Sequence, residues 1–224
     1  MATITALAPR LSDESFGDTI QQQIVAIIDD LFAELPNPEQ LTSDQRRRIV
    51  ARYTAVLEGN FIYWMTATYL AVRSEEARPI LIENLHEEIR DSHPDMMRRF
   101  AIAAHAFPSD TDALEVHTDL TRVRLFLGRL QGVQSLMMMA FFEGFIQGFM
   151  PYLAKLAAAQ GSHEFVYTDV HGVCDVHHSQ ELFRAVSLEM SLNPPGEDAD
   201  LFEGVELLRT LMRTIVQGPA PSLN

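Results

Sequence analysis

The chain has 224 residues, a single cysteine and a formal net charge of −14 at pH 7. This length predicts one domain over residues 1–224, with a flexible start at 1–14 and a tail at 218–224. The acidic excess argues against nucleic acid and anionic membranes as partners, because both attract clustered Lys and Arg. The lone Cys174 gives no disulfide framework, and the N-terminal stretch lacks the charged start and apolar run of a secretory signal. These features together predict a cytoplasmic protein.

Apolar residues recur at three- and four-residue steps along most of the chain, which predicts an all-α protein of seven or eight helices. The expected helices run over about 15–32, 43–72, 74–91, 94–107, 110–159 and 171–192, with a last helix that ends near 216. The most apolar stretch, 135–153, is interrupted by Glu143, Gln147 and Pro151. It is therefore predicted to be a buried core helix and not a membrane span.

A metal-binding pattern lies near the end of the chain, in the order His171, Asp175 and His178. The spacing i, i+4, i+7 puts all three side chains on one stripe of a helix. Two imidazoles and a carboxylate that meet at one point suit a first-row transition metal with both nitrogen and oxygen ligands.

Two glutamates in strongly apolar surroundings are further candidate ligands. Glu58 lies within LEGNFIYWMTATYL and Glu143 within MMMAFFEGFIQGFM. A carboxylate is costly to bury without a partner, because desolvation penalises its charged form. A hydrogen bond between helices or a salt bridge to an arginine would explain either one alone. Both together, in a chain that also carries the His171 pattern, favour metal ligation.

The segment IENLHEEIRDSHP adds a more ambiguous set of candidates. Glu83 and Glu87 share a helix face at i, i+4, with His86 between them. His93 follows the expected helix end, from which it can turn back over the same face. A metal cluster requires His93 and at least one of Glu83 and Glu87, whereas Glu88 is interpreted as part of a solvated acidic face.

The number of candidate ligands indicates a dinuclear centre. Four carboxylates and three histidines come from four separated segments, whereas one metal ion needs about four ligands. Carboxylates that bridge two metals inside a helical bundle are typical of di-iron proteins. Hard oxygen ligands mixed with imidazole favour iron or manganese. The residues therefore predict a di-iron carboxylate protein that activates dioxygen.

In the order and spacing of these residues, the chain resembles the heme-oxygenase-like di-iron oxidases over about 50–190. The family pattern has an early glutamate, a glutamate and a histidine around a helix break, a mid-chain glutamate, and a final H-x3-D-x2-H. The matching residues here are Glu58, Glu83, His93, Glu143, His171, Asp175 and His178, and Asn84-Leu85 resembles the family's NL element. His86 and Glu87 are the alternatives that would shift the ligand register in the third helix.

The resemblance implies a seven-helix fold, two ferrous ions, dioxygen as co-substrate, an external electron donor and a homodimer. The seven-ligand set resembles the branch that N-oxygenates small amines, such as an amino acid or a heteroaromatic amine, to hydroxylamine or nitro products in biosynthesis. One alternative is oxidative C–C cleavage or decarboxylation of an amino or fatty acid. An alternative of another class is a helical binding protein without catalysis. The candidate substrate-pocket residues, for each of which core packing is the competing explanation, are Phe61, Trp64, Phe142, Phe145 and Tyr167.

Overall fold

The computed structural model describes residues 13–219, with side chains for 19–172 and 178–219. Within this part of the chain the regular structure is entirely helical, which confirms the all-α prediction. The α-helices are α1 (Asp13–Ala33), α2 (Ser43–Leu57), α3 (Asn60–Ala71), α4 (Arg78–Arg90), α5 (His93–Ala103), α6 (Asp110–Leu127), α7 (Gly132–Ala158), α8 (Val166–Leu192) and α9 (Glu203–Gln217). Residues 1–12 of the predicted flexible start and 220–224 of the predicted tail lie outside the described residues.

Two of the predicted helices are each divided in the structure, so the described chain has nine α-helices and not seven or eight. Gly59, with φ at 77°, separates α2 from α3. Glycine adopts such an angle without the steric cost that a Cβ atom would bring. Leu130, with φ at 55°, lies in the turn between α6 and α7. Pro151 does not end a helix, because α7 runs through it.

Side-chain caps fix the starts of two helices that frame the core. The Thr42 hydroxyl accepts the backbone N–H of Gln45, and the Gln45 side chain accepts the N–H of Thr42. Ser109 and Asp112 form the same reciprocal pair at the start of α6. Each cap satisfies donors that have no partner within the helix and stabilises it by about 1 kcal/mol.

Helix α7 is the centre of the core and packs along α8, with further contacts to α1, α2, α3 and α9. Met137, Met138 and Met139 are all fully buried in it, as predicted. Among the described residues, α7 is the one helix long and apolar enough to cross a membrane, and 72% of its apolar window is buried inside the protein. The burial agrees with the predicted core helix.

Gly204, near the start of α9, allows this helix to approach the core closely because it carries no Cβ atom. A Cβ atom on Gly204 would lie 2.5 Å from a ring carbon of Phe126 and 3.2 Å from the Cβ of Met138. Phe126 and Met138 are themselves fully buried, so neither can move aside without disturbing its own neighbours.

Candidate metal centre

Three buried side chains from different helices bring potential metal-binding atoms together. Glu88 belongs to α4, His93 to the start of α5 and His171 to α8, and these three helices contact one another. Glu88 Oε1 lies 2.6 Å from His93 Nδ1 and 3.8 Å from His171 Nε2. One ligand atom from each residue lies within 4.8 Å of the others. The exposed fractions are only 7%, 4% and 7% for Glu88, His93 and His171.

The backbone at the start of α5 brings His93 to this position. Ser92 has φ at 56°, in the left-handed region, and the chain turns there directly from α4 into α5. Pro94 follows as an early residue of α5, where its missing N–H costs no hydrogen bond. His93 therefore lies one turn after Glu88 and faces it across the turn.

The pKa values of Glu88 and His93 are both shifted in favour of the charged forms, because their contacts outweigh the effect of burial. Burial disfavours the charged carboxylate of Glu88, but the neighbouring imidazoles of His171 and His93 outweigh it and lower the pKa of Glu88. Burial likewise disfavours a charged His93, but the hydrogen bond with Glu88 raises the pKa of His93. A buried carboxylate kept ionised between imidazole nitrogens is a suitable site for a divalent cation.

A backbone contact holds the His171 ring in a defined orientation. His171 Nδ1 lies 2.8 Å from the carbonyl oxygen of Tyr167, to which its N–H donates. This leaves Nε2, on the side of Glu88, as the nitrogen with a lone pair. A hydrogen bond of this kind from the second ring nitrogen is usual for histidines that bind metals.

Glu143 of α7 lies beside the cluster and lines the same cavity as Glu88, His93 and His171. It is only 3% exposed. The Asn84 side-chain amide donates to Glu143 Oε1 over 3.3 Å. The mid-chain carboxylate of the predicted ligand set is thus buried next to the three-residue cluster.

A second group of polar side chains lies on the other side of Asn84. His178 Nε2 lies 2.8 Å from Glu87 Oε2, so α8 and α4 are joined at this point. A small cavity here is lined by Ile80, Glu83, Asn84, Glu87, His178 and Glu181. Asn84 thus contacts Glu143 on one side and borders the Glu87–His178 pair on the other.

The remaining predicted ligands lie elsewhere or outside the described side chains. Glu58 is at the end of α2, is 25% exposed and forms an ion pair with Arg98 of α5. The side chain of His86 is exposed on α4. Asp175 belongs to 173–177, whose side chains lie outside the described residues.

The interpretation of Glu88 as a solvated acidic residue was wrong. The inward face of α4 carries Leu81, Asn84 and Glu88 at i, i+3 and i+7, and all three are buried. This spacing was visible in the sequence. Glu88 was missed because the adjacent Glu87 and the exposed Arg90 and Asp91 made the segment resemble a solvated face.

The cavity beside the cluster is small and mostly apolar. Its volume is about 30 Å³. Of the predicted pocket residues, Phe61, Phe142 and Tyr167 line it. Trp64 packs edge-on against Phe142, with ring centroids 5.5 Å apart. Phe145 stacks on Phe32, with ring centroids 5.0 Å apart.

Comparison with known proteins gives a match that covers most of the chain. A family model described as an iron-containing redox enzyme matches residues 48–211. This range includes Glu88, His93, Glu143 and His171. No curated protein matches the chain. The donor set fits the metal in the family's description, since two imidazoles and carboxylates are suitable iron ligands.

Proposed function

The chain belongs to the heme-oxygenase-like family of iron-containing redox enzymes, and we propose that it is a non-heme di-iron oxygenase that N-oxygenates a small amine. The observation that carries this proposal is the buried Glu88–His93–His171 cluster with Glu143 beside it. These residues offer oxygen and nitrogen ligands, and each of the four is at least about nine-tenths buried. The cavity that they line is small, about 30 Å³, so a substrate would enter only if the lining side chains moved apart.

In this proposal Glu88, His93 and His171 would hold one iron ion. Glu87 and His178, together with the sequence-predicted Glu83 and Asp175, would hold the second. Glu143, which lines the cavity of the first group and accepts a hydrogen bond from Asn84, would be a further carboxylate ligand. Glu58 joins the site only if it leaves its ion pair with Arg98. The burial of the cluster and the match over 48–211 support this assignment.

Bound ferrous ions would supply the electrons and the open coordination positions that dioxygen activation requires. The protein contributes geometry and a dry environment. The Tyr167 carbonyl fixes the tautomer of His171, and the amide of Asn84 orients Glu143. The apolar cavity wall, with Phe61 and Phe142, excludes water from the reacting groups. An external electron donor, a homodimer and a cytoplasmic location are part of the proposal as predicted from the sequence.

Iron stoichiometry tests the proposal most directly. We expect two irons per chain after anaerobic loading with Fe²⁺, and a transient visible absorption band when dioxygen is added. One iron per chain contradicts the dinuclear assignment. No bound iron contradicts the proposed function as a whole and favours a helical binding protein.

Product analysis distinguishes the proposed reaction from oxidative C–C cleavage. Iron-loaded enzyme is incubated with reductant, dioxygen and a panel of small amines. We expect hydroxylamine or nitro products with an intact carbon skeleton. Release of carbon as carbon dioxide or formaldehyde contradicts N-oxygenation and supports cleavage on the same site.

A further inference from the structure

The cavity beside the candidate metal centre faces solvent between two segments of the chain. Among its described lining residues, Gly59 is exposed, Ile62 and Pro94 are partly exposed, and the others are buried. Gly59 is the turn between α2 and α3, Ile62 lies at the start of α3, and Pro94 lies at the start of α5. These three residues border what we call the mouth of the cavity, with the α2–α3 turn as one rim and the start of α5 as the other.

An ion pair joins the two rims of this mouth. Glu58 directly precedes Gly59, and Arg98 lies one helical turn after Pro94 on α5. Nε and Nη2 of Arg98 both contact Glu58 Oε1. The side chains are 25% exposed for Glu58 and 52% exposed for Arg98, so the pair lies at the surface, outside the buried cavity. The contact therefore ties the α2–α3 turn to α5 across the mouth.

The surroundings of this ion pair allow it to open. Exposed ion pairs contribute little to stability, so little energy is needed to break one. Arg98 has a second carboxylate partner on its own helix, since its Nη1 lies 3.8 Å from Asp95 Oδ1. Asp95 can keep the guanidinium paired when Glu58 is released. On the other rim, no described atom lies within 4 Å of where a Cβ atom on Gly59 would be, so the turn has room to move.

We propose that the Glu58–Arg98 ion pair is a latch that controls the entry of small molecules into this cavity. With the pair formed, the cavity has a volume of about 30 Å³, which is too small for an organic molecule. Release of Glu58 frees the α2–α3 turn from α5 and lets the two rims separate. This role goes beyond the proposed function, because it does not depend on which reaction takes place at the metal centre.

The single tryptophan of the chain allows a test in the metal-free protein. Trp64 is fully buried and packs against Phe142, which lines the cavity. Acrylamide, a small neutral quencher, is titrated while the fluorescence of Trp64 is measured. We expect Glu58→Gln and Arg98→Gln each to raise the quenching constant by about two- to fivefold, since this is the range that loss of an exposed ion pair implies.

The matched control is Arg129→Gln. Arg129 forms a similar exposed ion pair with Glu203, and neither residue lines the cavity. We expect its quenching constant to equal that of wild type. The latch is overturned if Glu58→Gln or Arg98→Gln is quenched no more than wild type, or if the control is quenched as strongly as they are. A circular dichroism spectrum and a melting curve of each variant establish that faster quenching does not come from unfolding.

Ionic strength provides an independent check of the same contact. At about 1 M sodium chloride the Debye length is only about 3 Å, so an exposed ion pair is strongly screened. We expect the salt to raise the quenching constant of the wild type and to have a smaller effect on Glu58→Gln, in which the pair is already broken. An equal effect of salt on both proteins contradicts the latch.

Iron release separates this inference from the proposed function. Arg98→Gln is loaded anaerobically with Fe²⁺ and then mixed with a chelator. We expect the iron content of wild type, and removal of the iron about two- to fivefold faster than from wild type. A reduced iron content, or removal at the wild-type rate, contradicts the latch. A protein that binds no iron refutes the proposed function, whereas the quenching test of the latch remains valid.

Discussion

Glu88 is central to the candidate site, because its carboxylate contacts both His93 and His171. We expect Glu88→Gln to remove at least one of the two irons and to reduce dioxygen-dependent turnover by about a hundredfold or more. The measurement is iron content per chain after anaerobic loading, followed by oxygen consumption. Glu76→Gln, at an exposed glutamate just before α4, is the control and should keep the wild-type iron content. Wild-type iron content in the Glu88 variant would remove this residue from the metal centre.

Individual residues also show how much of the candidate site could be predicted from the sequence. Glu143 could be identified as a buried carboxylate because its neighbours in the sequence are almost all apolar. Glu88 could not be identified in that way. Its partners are His93, five positions later, and His171, on a helix that is distant in the sequence. The place of Glu88 on the same helix face as Leu81 and Asn84 is visible in the sequence, but the two histidines that it meets there depend on the packing of α4, α5 and α8. Glu58 has apolar neighbours like those of Glu143, yet it lies at a helix end and reaches Arg98.

At the scale of helices, the α2–α6 contact is stabilised by a partly buried ion pair. Arg47 of α2 donates to both carboxylate oxygens of Asp112 over 3.3 and 3.2 Å. Burial alone would raise the pKa of Asp112, but the hydrogen bonds from Arg47 and Ser109 outweigh it and lower the pKa below its ordinary value. The contribution to folding is therefore complete above the ordinary carboxyl range and is lost as the pH falls through the lowered pKa.

Denaturant titrations across the acid range test this pH dependence. We expect Asp112→Asn to lower the free energy of unfolding at pH 7 by about 1–3 kcal/mol. The difference from wild type should shrink as the pH falls below about 4, where the unfolded carboxyl of the wild type becomes protonated. Asp110→Asn, at an exposed position in the same helix turn, should leave the pH profile unchanged. A difference that stays constant down to pH 2 would contradict the assigned role.

The α9 contact with the core provides a second prediction at this scale. Gly204→Ala places a Cβ atom 2.5 Å from Phe126, which is fully buried. We expect a loss of about 1–3 kcal/mol in the free energy of unfolding, since overpacking forces neighbouring side chains to shift. Gly172→Ala is the helical control, because among the described side chains its Cβ would meet only Met150, at 4.0 Å. Thermal or urea unfolding of both variants measures the difference, and equal stabilities would contradict the tight α9 contact.

Helix starts could be predicted more reliably than helix breaks. The predicted start of the second helix at residue 43 agrees with α2, whose cap at Thr42 is formed by residues that are neighbours in the sequence. The break at Gly59 was missed, since apolar residues continue on both sides of it. The turn is evident only in the structure, where α2 packs mainly on α6 and α3 mainly on α4.

At the scale of the whole molecule, metal binding is expected to stabilise the fold. The cluster joins α4, α5 and α8, so a bound ion would favour the folded chain over the unfolded one by mass action. At a Fe²⁺ concentration about a hundred times the dissociation constant, the gain is about 2.7 kcal/mol. We expect anaerobic Fe²⁺ to raise the melting temperature and a chelator to reverse the shift. Glu88→Gln should respond less than wild type, and an equal response would place the stabilising ion elsewhere.

The short connection between α4 and α5 has a consequence for the order in which the site is assembled. Glu88 and His93 are separated by a single turn, so bringing them together closes a very short loop and costs little chain entropy. His171 comes from far along the chain and requires the long loop through α6 and α7 to close first. Two of the three cluster ligands are therefore local partners that can meet early in folding. The centre is complete only when α8 packs against α4 and α5. Hydrogen exchange during refolding should therefore show α8 protected no earlier than α4 and α5.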